Sequence, residues 1–187
     1  MKTIFTLILF CMSFLVVAIE HPPIPASLKQ INNNFYIIHG GGYWYEPDKA
    51  YVRGTNIGVI VEDDGVLLID LLVDYSARPR SPFNPEVWSH VRNITNKPIK
   101  YVINTHNMPH PTGGNVHFAR KGATIIFQDN ALYEAGLPIN YFKHLTFKSE
   151  LSLHFGNQEV KIFHLGTGRT YSDSAVYIPE ANVLFTG

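Results

Sequence analysis

Apolar and polar residues follow one another in short runs along this chain, and the runs predict a protein rich in sheet. Asn34–His39 (NFYIIH) and Tyr51–Val61 (YVRGTNIGVIV) have strand patterning. Between them Gly40–Asp48 (GGGYWYEPD) reads as a loop. Its glycines and aromatics suit either the rim of a pocket or a turn whose rings cap the core. Glu62-Asp63-Asp64-Gly65 is a tight acidic turn, and Val66–Asp70 follows as the second arm of a hairpin. Lys100–Ile103, Ala123–Phe127, Phe142–Phe147, Leu151–Phe155, Val160–Phe163, Ser174–Ile178 and Val183–Phe185 continue the series. Helical spacing is confined to Pro85–Asn93, Gly114–Ala119 and Asp129–Ala135. The first sets Val87, Val91 and Ile94 on one side with Trp88, and the last is stopped by Gly136 and Pro138. Strand-rich halves with helices between them predict a layered α/β domain.

The first residues stand apart from this pattern. Lys2 precedes a mostly apolar run, Ile4–Val17, and Val16-Val17-Ala18 offers a small-residue cleavage site. A bilayer crossing needs about 20 apolar residues, so the run reads as a signal peptide over 1–18 rather than an uncleaved anchor. A Pro-rich, unstructured lead-in over 19–32 and a domain over 33–187 follow, and the destination is secreted or extracytoplasmic. The sole cysteine, Cys11, lies inside the signal. The mature chain therefore depends on its hydrophobic core without a disulfide, which an apolar content of 45% allows. Fifteen basic residues balance fifteen acidic ones with no basic cluster, which argues against nucleic acid or an anionic membrane as partner. Asn93-Ile94-Thr95 is a glycosylation sequon. The chain stops directly after an apolar strand, at Gly187, and reads as C-terminally incomplete.

Candidate chemistry gathers in Tyr101–Asn115 (YVINTHNMPHPTGGN). There a buried strand runs into a polar loop that Pro109, Pro111, Gly113 and Gly114 keep irregular. His106 and His110 share the loop, His164 ends a strand, and Asp173 sits in a similar strand-end loop, GTGRTYSD. Convergence of these four would give zinc its usual three or four donors. The other use is structural, with His106 bonded inside its loop and His164 satisfied at its strand end. Met108 is a poor zinc donor beside imidazole. Arg169 cannot coordinate and repels a divalent ion, but beside an anionic ligand it replaces a metal as an electrostatic clamp. Asp70 closes a wholly apolar run, where a carboxylate needs hydrogen bonds and so braces neighbouring loops. There is no mature cysteine nucleophile, no Gly-x-Ser-x-Gly elbow and no phosphate-binding glycine loop.

Three blocks, NIGVIVEDDGVLLID, VINTHNMPHPTGGN and HLGTGRTYSDSAVYIPEANVLFTG, stand in an order and spacing that resembles the metallo-β-lactamase superfamily, in its broad branch of secreted hydrolases. The resemblance spans roughly Asn33 to Gly187. It implies an αββα sandwich, here incomplete in its second half. It also implies a hydroxide, held by one or two metals, usually zinc, that attacks an ester, thioester, amide or phosphoester. The family loop Thr-His-x-His-x-Asp-His-x-Gly-Gly matches Thr105, His106, Gly113 and Gly114, while its other ligands fall on Met108, His110 and Pro111. A later ligand histidine falls on Arg169, and the bridging aspartate or cysteine would follow Gly187. Asp70 matches the strand-end aspartate that supports the metal loop. The implied metal set is His106 with His110, His164 and Asp173, and Asp70, Thr105 and Arg169 surround it. Two functions follow: a zinc-dependent hydrolase, or a catalytically inactive relative that binds a small anionic or neutral ligand in the former metal pocket. The partner in either case is a small molecule.

Overall fold

The computed structural model describes residues 25–40, 42–45, 50–72, 85–108, 112, 114–135 and 142–187. The apolar segment over 1–18, the proline-bearing stretch over 73–84 and His110 lie outside the described residues.

One strand explains the layering. In β6 (Gly65–Ile69) every residue is buried, and a strand that is apolar on both faces needs cover on both. It lies in a seven-stranded sheet with β1 (Ser27–Gln30), β2 (Phe35–His39), β5 (Asn56–Glu62), β7 (Ile99–Ile103), β8 (Thr124–Gln128) and β9 (His144–Phe147). The spatial order is β1-β2-β5-β6-β7-β8-β9. From β1 to β6 neighbours run antiparallel, and from β6 to β9 they run parallel. Parallel neighbours need crossovers, supplied in turn by α1 (Pro85–Ile94), α2 (Asn115–Arg120) and α3 (Asn130–Ala135). Val66 and Leu68 face these helices, in a core with Val87, Val91, Phe118 and Ala131.

Leu67 and Ile69 face the other way. They pack with Ile60, Ile103 and Ile126 against Phe155, Val160, Ile162, Val176, Ile178 and Phe185. The latter six come from a second sheet, an antiparallel meander of β10 (Glu150–Phe155), β11 (Gln158–Phe163), β12 (Ala175–Ile178) and β13 (Val183–Phe185). Its strands alternate, and β11 buries Gln158, Val160 and Ile162 while the residues between are half-exposed. Each large apolar side chain buried here contributes about 1.5–3 kcal/mol. The result is a helix layer on a large sheet, itself on a smaller sheet, the mixed α/β architecture anticipated above.

Two predictions change. Ser27–Gln30 is not lead-in but an edge strand paired with β2. All four of its residues are exposed, so no buried alternation announced it. The segment predicted as one strand over Tyr51–Val61 is divided. Its first part, β4 (Ala50–Arg53), pairs with β3 (Gly42–Tyr45), inside the predicted loop. The break falls where two backbones touch: a Cβ on Gly54 would lie 2.3 Å from the Gly40 carbonyl oxygen, and the Gly40 N–H donates to Thr55 O at 3.1 Å. Only glycine permits that approach.

Candidate functional site

The strands β6 and β7 end side by side, and the polar groups that follow them interlock. Asp70 takes up a left-handed conformation, φ 59°, directly after β6, a conformation that aspartate tolerates better than most residues. Its own N–H donates to Ile103 O at 2.7 Å. Its carboxylate accepts the Thr105 N–H at 2.8 Å and the Thr105 hydroxyl at 2.7 Å. Burial nonetheless pushes the Asp70 pKa up to about 7, against the lowering effect of those two bonds. Thr105 is fully buried, and its carbonyl accepts the Ser174 N–H at 2.7 Å, which ties the second sheet to the first. Across the base of the loop, the Asn115 amide donates to Asn104 Oδ1 at 2.6 Å.

His106 comes next and is half-buried, with Nδ1 3.0 Å from Thr105 Oγ1. Burial is the main cause of its lowered pKa. Asp173 opposes that, Arg169 adds to it and Glu134 opposes it weakly. The imidazole is therefore neutral at neutral pH.

Arg169 and Asp173 arrive on the loop between β11 and β12. Asp173 organises it: Oδ2 accepts the Arg169 N–H at 2.8 Å, and Oδ1 accepts the Thr170 N–H at 2.8 Å together with the Thr170 hydroxyl. The loop winds so closely that a Cβ on Gly168 would lie 2.3 Å from Asp173 Oδ2. Partial burial raises the Asp173 pKa, but the bonds from Thr170 and Arg169 outweigh it and hold the carboxyl below its ordinary value. From outside, Glu134 of α3 accepts the Tyr171 N–H at 2.7 Å and the Ser172 hydroxyl at 2.6 Å, and Asn130 donates to Tyr171 O at 2.8 Å.

These elements enclose a cleft of about 430 Å³, within the usual range for small-molecule sites. Asp70, His106, Arg169 and Asp173 line it, and Thr105 lies directly behind. His164 is not among the lining residues. Its Nδ1 bonds Asp173 O at 2.7 Å and its N–H donates to Ser149 O at 2.7 Å. His110 lies outside the described residues. The opposite wall was not foreseen. His39 and Asn56, paired across β2 and β5, both line the cleft, with His39 Nδ1 2.8 Å from Asn56 Oδ1. Neither shows a sequence motif, since only strand pairing brings them together. Glu134 was missed because only the packing of its helix against the Arg169 loop brings it to Tyr171 and Ser172.

The described residues do not fit a zinc ion. Among them, no three of His, Cys, Asp and Glu are grouped so as to hold a metal. Of the described candidates, His106 offers an imidazole to the cleft, His164 bonds the Asp173 carbonyl and does not line the cleft, and Asp173 is committed to three donors of its loop. Arg169, exposed on the cleft wall, adds a permanent cation that would repel a divalent ion.

The chain belongs to the metallo-beta-lactamase superfamily, whose family profile matches residues 50–187. Solved structures agree on the fold. A metallo-beta-lactamase from Pontibacter korlensis is 20% identical, with a TM-score of 0.68 over 87% of this chain and 71% of that one. One from Hirschia baltica is 20% identical, with a TM-score of 0.66 over 87% and 71%. FIM-1 from Pseudomonas aeruginosa, solved in a mono-zinc form, is 22% identical, with a TM-score of 0.64 over 87% and 68%. A search of curated protein sequences gave no match. Identities this low speak for the fold, and function has to be argued from the site. Among the described residues no helix is long and apolar enough to cross a membrane.

Proposed function

We propose that this chain is a non-catalytic member of the superfamily that binds a small molecule in the former metal pocket, after export directed by residues 1–18. One observation carries the reading. The cleft at the ends of β6 and β7 keeps the scaffold that would hold a reactive centre, but among the described residues the donors are missing or otherwise engaged. Asp70 and Thr105 still lock the strand ends together. A preformed concave site with polar groups on both walls and apolar residues such as Ile37, Val183 and Phe185 between them suits ligand binding.

The test is turnover. Purified protein is assayed with and without added zinc against ester, thioester and amide substrates, each beside a His106→Ala variant. The non-catalytic reading expects hydrolysis at the background rate in every case. Zinc-stimulated turnover that His106→Ala abolishes would establish instead a hydrolase that uses zinc.

A further inference from the structure

We infer that the ligand of this cleft is a small organic monocarboxylate, gripped by the Arg169 guanidinium and bound without a metal ion; the inference rests on the ligand-binding reading above. Arg169 is placed for that task. Its main chain is fixed by Asp173 from within and, through Tyr171 and Ser172, by Glu134 from without, so the side chain starts from a rigid base. Arg169 and His106 line the same cleft.

Among the described residues the ion pairs are Lys97 with Asp63 and Lys161 with Glu159, and neither involves Arg169. Its neighbour Asp173 gives its oxygens to N–H and hydroxyl groups of the loop rather than to the guanidinium. The planar fork of an arginine matches a carboxylate through two parallel N–H···O bonds. One negative charge is the limit. Asp173 is ionised and lines the same cleft, so a dianion such as a phosphate monoester would meet about twice the repulsion that a single charge meets. Ile37, Val183 and Phe185 then provide apolar surface for an organic body.

The experiment compares acids with their neutral amides. Protein freed of metal with EDTA is titrated with propionate, benzoate and phenylacetate, and separately with propionamide, benzamide and phenylacetamide, while backbone amide shifts are followed by NMR. At least one carboxylate should bind about tenfold tighter than its amide, a gap in the range of one charge-assisted hydrogen bond. The shifts should fall on Thr55, Asn56, His106 and Arg169, and added zinc should leave the affinity unchanged. Arg169→Gln should remove about the same tenfold, with Arg169→Lys between the two. Amides that bind as well as acids, or acid binding untouched by Arg169→Gln, would overturn the carboxylate inference and leave the ligand-binding reading standing. Acid binding that needs zinc would overturn the metal-free part. If none of the six compounds perturbs the cleft, the carboxylate inference falls, while the reading beneath it stands or falls on the turnover test.

Discussion

Asp70 holds Thr105 by two bonds at once, accepting the backbone N–H at 2.8 Å on one carboxylate oxygen and the hydroxyl at 2.7 Å on the other. The pair joins the ends of β6 and β7, and Thr105 passes the connection on to Ser174 of the second sheet. Asp70 itself and His106, which follows Thr105, line the cleft from this link.

The link makes stability depend on pH in a definite direction. Asp70 titrates near 7 in the fold and near its ordinary 3.8 when unfolded. Between those values the folded chain binds the extra proton, so the Asp70 contribution grows as pH falls from about 7 toward 4 and is lost as pH rises through 7. Full burial sets its ceiling at roughly 4 kcal/mol. His106 and His117 have lowered pKa values and act oppositely below their ordinary range. The Asp70 term is therefore isolated by subtracting the urea-unfolding profile of Asp70→Asn, which should lack the rise toward low pH.

Thr105→Val keeps the shape and removes the hydroxyl, leaving Asp70 Oδ2 without that donor in a buried site. A loss of about 1–3 kcal/mol in unfolding free energy is expected. Thr105→Ser retains the hydroxyl and should cost only about 1 kcal/mol, for one methyl group. Equal losses in the two variants would mean that packing, not hydrogen bonding, holds the strand ends.

Glu134 acts on the Arg169 loop from a different element. Glu134→Ala should raise the hydrogen-exchange rate of the Tyr171 amide by about tenfold, the value of one modest hydrogen bond. Tyr133→Ala, one position earlier and 84% exposed, serves as the control that leaves this rate unchanged.

His106 reports the charges around it. Arg169→Gln should raise its pKa and Asp173→Asn should lower it, since the native residues act in the reverse directions. An NMR titration of the imidazole reads both shifts. Movement in the same direction for both variants would contradict the geometry described here.

The fold was largely legible in the sequence because its elements are local. The uninterrupted apolar run of Val66–Ile69 states that a strand is covered on both faces, and the valines of α1 state which side faces the sheet. What was not legible depends on pairing. β1 has no buried face to betray it, and the break at Gly54 follows from a carbonyl contributed by Gly40, just past the end of β2. The site divides in the same way. Asp70, Thr105, His106, Arg169 and Asp173 could be named from their strand-end positions, and all five gather at or directly behind the cleft. His164 was named for the same reason, yet it does not line the cleft and instead bonds the Asp173 carbonyl. His39 and Asn56 meet only through the register of β2 and β5, and Glu134 reaches Tyr171 from a helix 37 residues away, so only the assembled fold reveals them.

The most direct test of a metal-free cleft is zinc stoichiometry. Protein is equilibrated with excess zinc, desalted and analysed for bound metal, alongside His106→Ala. The account predicts well under one equivalent in both. One or more tightly held equivalents in the native chain, lost on substituting His106, would contradict it.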